Sequence, residues 1–300
     1  MSKILFVGDL HLNYQTPSSR KDVYANTILE KVKTIAKYAN ENDIKDVIFL
    51  GDVFHQKYQP YHYMVKCYLA FREFNTTPYT IIGNHDLQFE RMDTLTESPL
   101  NFLFITGVLK HLEKQEVDDV VIKGFDYPVP ITKNENDKYT ICVAHQYYET
   151  PLYKSYITKD DVYNLGYQAY VLGHDHTVYD DVVTEKYRII RPGSLSRGTA
   201  HSQNLLRDVY VIIFDTVTKT YTRVQVPAPK AQDVFKEIKY VEKTLETSVD
   251  EIIDKMEFDN DTSIYDMVDS MPNVPQAVRD LIIKYLEDNG IFRKDKPDAI

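Results

Sequence analysis

The feature that most constrains the fold of this chain is a polar ending that recurs after five short apolar runs. The runs are ILFV, VIFL, YTII, TICVA and YVL, and the endings that follow them are GDLH, GDVFH, GNHD, H and GHDH. The chain has nine histidines, and six of them lie at or just beyond these endings. Side chains at the carboxyl ends of neighbouring strands meet at one edge of an α/β sheet. We therefore expect these polar residues to form one site.

The first half of the chain alternates between short apolar runs and stretches of helical periodicity. Apolar residues recur at helical spacing over residues 20–40 and 62–74, whereas the runs around them have the length of buried strands. This alternation is typical of strands covered by helices and predicts an α/β fold. After residue 180 four strand-like runs follow one another, and we expect them to form a second, mostly antiparallel sheet.

A proline-containing segment, VPAPKAQD (226–233), interrupts the pattern and predicts a domain boundary. We expect a larger domain over residues 1–229 and a small, α-rich domain over residues 230–300. In the small domain, apolar residues at helical spacing predict a helix over residues 275–289. Its apolar stripe is a candidate docking face for a partner.

The composition limits the classes of protein to consider. The formal charge of −10 argues against a chain that binds nucleic acid over its whole surface. No signal-peptide pattern and no apolar run of about 20 residues is found, so we expect a soluble, cytoplasmic protein. Cys67 and Cys142 lie in apolar runs, which predicts two reduced thiols in the core.

The five endings offer aspartate, asparagine and histidine side chains but no cysteine. Oxygen and nitrogen ligands of this kind suit Mn²⁺, Fe²⁺ or Zn²⁺. There are more candidate ligands than one ion needs, which favours two ions that share a bridging carboxylate.

The order of these motifs resembles that of the calcineurin-like metallophosphoesterases. The segments that carry the resemblance are Asp9-x-His11, Gly51-Asp52, Gly83-Asn84-His85-Asp86, the lone His145 and Gly173-His174-x-His176. The segment GDVFH resembles the corresponding motif of the SbcD-type nucleases, and RPGSLSRGT (191–199) is also similar to a segment of that family. The resemblance implies a two-sheet β-sandwich flanked by helices, with a small C-terminal capping domain.

The resemblance also implies a role for each matching residue, with Mn²⁺ as the expected metal. The ligands that it implies for one ion are Asp9, His11 and His176. Those for the second ion are Asn84, His145 and His174, with Asp52 bridging the two. His85 is expected to donate a proton to the leaving oxygen and His55 to position DNA. Gly173 is expected to turn the chain so that its two neighbouring histidines each reach one metal.

For the whole protein, the resemblance implies 3′-to-5′ exonuclease action on double-stranded ends. It further implies endonuclease action on single strands and hairpins in DNA repair or recombination, a homodimer and an SbcC-type coiled-coil ATPase partner. The chain has no Gly-x4-Gly-Lys-[Ser/Thr] segment, so any ATP-driven step would need another polypeptide. A local basic stretch without acidic residues predicts phosphate contacts and contains Lys186, Arg188, Arg191, Arg197 and Arg207.

Two other functions remain open. The chain could be a stand-alone phosphodiesterase for cyclic nucleotides or other small diesters, or an interaction scaffold without catalysis. Several polar residues are expected to have structural roles instead. Asp86 is interpreted as a residue that supports the turn or orients an imidazole, and Asp175 as a turn residue. The remaining histidines, His62, His111 and His201, are interpreted as surface or structural residues.

Overall fold

The computed structural model of the protein describes residues 2–150, 155–200, 204–205, 207–236 and 283. The chain divides into two units, Met1–Glu237 and Ile238–Ile300, and the described residues other than Ile283 belong to the first. Residues 230–236 lie in that first unit, where Val234 and Phe235 are buried. The predicted helix over 275–289 falls outside the described residues except at Ile283. The division into two domains at residue 229 stays a prediction.

The elements of the described residues follow the predicted alternation through the first half of the chain. The strands are β1 (Lys3–Val7), β2 (Asp46–Phe49), β3 (Tyr79–Thr80), β4 (Lys110–His111), β5 (Lys114–Val117), β6 (Val120–Phe125), β7 (Tyr139–His145), β8 (Tyr147–Tyr148), β9 (Tyr156–Ile157), β10 (Ala169–Gly173), β11 (Val182–Val183), β12 (Arg188–Ile190), β13 (Tyr210–Asp215) and β14 (Thr220–Gln225). The α-helices are α1 (Tyr24–Glu41), α2 (Tyr61–Phe71), α3 (Pro99–Ile105), α4 (Lys159–Leu165) and α5 (Ala231–Val234), and a 3-10 helix spans Met92–Glu97.

Two six-stranded sheets form the architecture. Their strand orders are β14-β13-β1-β2-β3-β4 and β11-β12-β10-β7-β6-β5. A core between the sheets is built from inward-facing residues of both, such as Ile4 and Phe6 of β1 with Ile141 and Val143 of β7. Because side chains alternate along a strand, the intervening Leu5 and the residues like it face the helices instead. The predicted two-sheet β-sandwich flanked by helices is confirmed.

The grouping of the late strands differs from the expectation. β13 and β14 do not belong to a second sheet, since β13 pairs antiparallel with β1 and extends the first. β11 and β12 join the other sheet, where β12 runs parallel to β10. The physical reason is that β13 is apolar on both faces: Ile212 and Phe214 enter the core between the sheets, whereas Val211 faces the helical side. Such a strand is stabilised inside a sheet that is covered on both sides.

Two smaller predictions concern the cysteines and the membrane. Cys67 and Cys142 are buried free thiols, as predicted. Among the described residues, no helix has the length and apolar character needed to cross a membrane.

Candidate metal centre

The carboxyl ends of five strands bring the predicted site residues together. β1, β2 and β3 run parallel in the first sheet, and β7 and β10 run parallel in the second, with His145 opposite Gly173. Each of the five polar endings therefore leaves its strand at the same end of the sandwich. The residues that meet there are Asp9, His11, Asp52, His55, Asn84, His85, His145, His174 and His176.

The first group of possible ligands consists of Asp9, His11, Asp52 and His176, whose ligand atoms all lie within 4.8 Å of one another. The Nε2 atoms of His11 and His176 are 2.7 Å apart. His11 Nε2 lies 3.6 Å from Asp52 Oδ2, and His176 Nε2 lies 3.6 Å from Asp9 Oδ2. Three elements far apart in the sequence thus offer four donor atoms to one small volume.

The second group consists of Asp52, His145 and His174. His145 Nε2 lies 3.4 Å from Asp52 Oδ2 and 3.1 Å from Asn84 Oδ1, so Asn84 belongs to the same cluster. The Nδ1 atom of His145 is 2.7 Å from the carbonyl oxygen of Leu50. Because a carbonyl only accepts, Nδ1 carries a hydrogen, so Nε2 is the nitrogen that can bind a metal once it loses its proton.

The residues fit two divalent cations, and Asp52 is the reason. Its Oδ2 atom is shared by both groups, is buried, and has no hydrogen-bond partner within the described residues. Its Oδ1 atom accepts from the backbone amide of His85 at 2.8 Å. A buried carboxylate oxygen that lacks a hydrogen bond is costly, and bound cations would offset that cost.

Three of these residues hold left-handed backbone conformations, with φ angles of 49° at His11, 47° at Asp52 and 82° at His174. Such angles are uncommon for residues other than glycine and concentrate at functional sites. The turn that separates His174 from His176 is therefore made at His174 and not, as expected, at Gly173. Gly173 is needed for a different reason, since a Cβ there would overlap with the carbonyl oxygen of Leu50 and lie 2.9 Å from Asp9 Oδ1.

Burial and neighbouring charges raise the pKa of some groups in the cluster and lower the pKa of others. Burial, reinforced by the Asp52 carboxylate, raises the pKa of Asp9 to about 7. Burial lowers the pKa of His174 to about 2 and that of His176 to about 4, so both imidazoles are neutral at physiological pH. His145 is the exception, because the Asp52 carboxylate outweighs burial and raises the pKa of His145 to about 9.

We expect the metal-free protein to bind Mn²⁺ more tightly as the pH rises and to release protons on binding. Asp9, with a pKa of about 7, and His145, with a pKa of about 9, both hold a proton below those values and must lose it to coordinate. The affinity should rise between about pH 6 and pH 9, by up to about tenfold per pH unit for each proton released. Calorimetric titration in buffers of different ionisation enthalpy counts the protons. An affinity that does not change with pH would contradict this prediction.

Side chains outside the cluster hold it in place. Asp86 is buried and accepts from the backbone amides of Phe54 and Gly83, both at 3.0 Å, which agrees with its predicted role in the turn. The segment after β12 holds the backbone of Asp9, whose carbonyl oxygen accepts from the Leu195 amide at 2.9 Å. The Leu195 carbonyl in turn accepts from buried Lys31 at 2.7 Å. Lys31 was not predicted, because only the fold brings α1 to this segment.

The two histidines predicted to act on the substrate lie beside the ligands. Their rings are stacked, with centroids 5.0 Å apart and an angle of 18° between the planes. His85 Nδ1 donates to the carbonyl oxygen of His55 at 3.0 Å, so Nε2 is the second nitrogen of the His85 ring and is not used by this bond. The ligand atoms of His11, His55 and His85 also lie within 4.8 Å of one another. Both histidines line an open cavity of about 470 Å³.

The predicted basic patch is not one exposed surface. Arg197 is only 5% exposed and donates to the carbonyl oxygen of Pro229, so it does not face a substrate. Arg191 is half-buried, with its guanidinium 3.9 Å from the ring centroid of Tyr179. Lys186 is exposed and Arg188 is half-buried, both beside aromatic rings. Arg197 is therefore a correction to the predicted set, because a backbone carbonyl distant in sequence binds its charge.

The remaining predicted residues are structural where they are described. His111 Nε2 lies 2.8 Å from a carboxylate oxygen of Asp126. Asp175 accepts from the Thr177 amide at 3.0 Å, as a turn residue does. His62 is exposed against the ring of Tyr14. His201 lies outside the described residues.

Comparison with known proteins is consistent with this geometry. The model of a protein family described as calcineurin-like phosphoesterase matches residues 2–178. A dimetal phosphatase from Danio rerio has a similar structure, with a TM-score of 0.51 and 8% identity over 76% of this chain and 97% of that one. The protein TT1561 of Thermus thermophilus gives a TM-score of 0.48 and 10% identity over 75% of this chain and 99% of that one. At these identities the likeness concerns the fold alone. No curated protein matches the sequence.

Proposed function

Because this chain belongs to the calcineurin-like phosphoesterase family, we propose that it is a two-metal DNA nuclease of the SbcD type. The observation that carries the proposal is the position of Asp52 Oδ2, buried and shared by two groups of ligands. The imidazole of His85 lies beside that of His11, with ring centroids 4.9 Å apart, and the His85 amide donates to Asp52 Oδ1, which supports a role for this side chain next to a bound phosphate.

The ligand residues would hold two divalent ions, of which Mn²⁺ is the one proposed here. When bound, such ions would supply polarisation of phosphate oxygens and a lower pKa of water. Asp9, His11 and His176 would bind one ion, Asn84, His145 and His174 the other, and Asp52 both. The carbonyl of Leu50 keeps His145 in the tautomer that binds metal through Nε2.

His85 supplies the proton in the proposed reaction. The carbonyl of His55 accepts from Nδ1 and sets the orientation of the ring, so the proton donated to the leaving oxygen comes from Nε2 of the imidazolium. His55 thereby positions the donor through its backbone, and its own ring lies parallel to that of His85. The cavity that both histidines line accepts the part of the substrate beyond the scissile bond.

A stand-alone phosphodiesterase for small diesters is the second candidate. It is favoured by the size of the cavity, about 470 Å³, which lies within the range of small-ligand sites. It is also favoured by the burial of Arg197, which leaves fewer cations for an extended DNA contact. The homodimer and the ATPase partner are proposals that rest on the resemblance in sequence, and the cytoplasmic location stays a prediction from the sequence pattern.

The test uses the purified full chain, freed of metal and then supplied with Mn²⁺. We expect metal-dependent shortening of end-labelled linear DNA, together with hydrolysis of bis(p-nitrophenyl) phosphate. His62→Ala is a matched control, because this exposed histidine lies outside the ligand groups, and it should leave both activities unchanged. Hydrolysis of the small diester with intact DNA would favour the second candidate. Activity on neither substrate would favour the non-catalytic scaffold.

A further inference from the structure

The cavity beside the proposed proton donor has features that metal binding does not explain. It lies between the segment that follows β2, residues 55–58, and the segment that follows β3, residues 84–90. Asn84 and His85 form the part of its lining that adjoins the metal ligands. A phosphate held at the cluster therefore has this cavity directly next to it.

Two aromatic residues on the cavity lining are exposed to solvent. Phe89 is 74% exposed and Tyr58 is 76% exposed, and they come from the two different segments. Single exposed aromatic side chains are ordinary, but two on one cavity beside a reaction centre suggest a binding surface. The face of an aromatic ring that water contacts is free to stack on a flat ligand.

The backbone holds Phe89 in this position at some cost. Phe89 and Glu90 have φ angles of 53° and 57°, so two successive residues other than glycine are left-handed. The Glu90 carboxylate accepts from the Tyr127 hydroxyl at 2.9 Å, which ties the segment to the loop after β6. Lys57 Nζ lies 4.3 Å from the centroid of the Phe89 ring and adds a positive charge to the cavity.

We propose that this cavity binds the unpaired base of the nucleotide on the leaving-group side of the scissile bond. Phe89 and Tyr58 stack on the base, and Lys57 contacts a phosphate. The inference rests on the proposed nuclease function and names its substrate: a strand whose nucleotide at the cleavage site is not paired. In a duplex the faces of each base are covered by its neighbours, so a base reaches such a surface only after it leaves the stack.

The experiment uses the full chain in Mn²⁺ and single-stranded oligonucleotides that contain one cleavable linkage among uncharged methylphosphonates. In matched substrates the nucleotide on one or the other side of that linkage is abasic. Loss of the base on the leaving-group side should lower kcat/KM by about tenfold to a hundredfold, as expected for one stacked base. Loss of the base on the other side should have little effect.

Protein variants connect this effect to the cavity. Phe89→Ala should reduce the ratio of kcat/KM between the base-containing and abasic substrates to near one, chiefly by slowing cleavage of the base-containing substrate. Phe89→Tyr keeps a stacking ring and should restore the ratio. Tyr61→Ala is the control, because Tyr61 is also exposed, at 81%, but does not line the cavity.

Each of the other outcomes overturns the proposal in a recognisable way. If the wild type cuts base-containing and abasic substrates equally, the base subsite is wrong and the nuclease stands. If Phe89→Ala keeps the full ratio, the base binds elsewhere. If neither these oligonucleotides nor ordinary end-labelled DNA is cut while bis(p-nitrophenyl) phosphate is hydrolysed, the base subsite and the nuclease function are both wrong.

Discussion

Asp52→Asn is expected to lower the rate of phosphodiester hydrolysis by at least about a thousandfold and to reduce the bound Mn²⁺ from two ions to at most one. The negatively charged carboxylate of Asp52 belongs to both ligand groups, and asparagine replaces it with a neutral amide of nearly the same size. Two-metal catalysis contributes several kcal/mol, and each 1.36 kcal/mol corresponds to about a tenfold change in rate. The measurements are kcat with bis(p-nitrophenyl) phosphate and metal content by mass spectrometry.

Thermal unfolding separates this effect from misfolding. The metal-free variant should still unfold in one cooperative transition, at a somewhat lower Tm than the metal-free wild type, because it loses the ion pair between the Asp52 carboxylate and His145. Added Mn²⁺ should then raise the Tm of the wild type more than that of the variant. Asp175→Asn is the matched control, since asparagine preserves the turn with Thr177. Full activity and two bound ions in Asp52→Asn would contradict the bridging role.

His85→Gln is expected to lower kcat for DNA by about 10²- to 10⁴-fold, the usual contribution of a general acid, with two Mn²⁺ ions still bound. The loss with bis(p-nitrophenyl) phosphate should be much smaller, because p-nitrophenolate leaves without needing a proton. The comparison of the two leaving groups is therefore the informative measurement. It separates proton donation from general damage to the site.

The alternative is that His85 is a metal ligand, since its ligand atom lies within 4.8 Å of those of His11 and His55. In that case metal content would fall, and both substrates would be affected equally. His55→Gln retains the backbone carbonyl that accepts from His85 Nδ1. In His55→Gln the ratio of kcat for DNA to kcat for bis(p-nitrophenyl) phosphate should therefore stay near the wild-type value, even if both rates are reduced.

The sequence was sufficient to predict which residues meet and what kind of fold brings them together. Asp9, Asp52 and His145 each follow an apolar run with a polar ending, and parallel strands place such endings at one edge. The helical spacing of residues 20–40 likewise predicted α1, which begins at Tyr24. These predictions succeed because local periodicity determines both the type of element and the face that it buries.

Only the tertiary structure decided how the elements pair and where individual charges go. The apolar residues at successive positions of β13 show that both faces of this strand are apolar, but they do not show that its partner is β1. The charge of Arg197 is positive in any fold, but whether it meets a phosphate or the carbonyl of Pro229 depends on a chain segment distant in sequence. The left-handed turn at His174 and the exposed ring of Phe89 also depend on contacts across the fold. The physical reason is the same in each case: partner choice, burial and backbone strain are properties of surroundings that residues remote in the sequence supply.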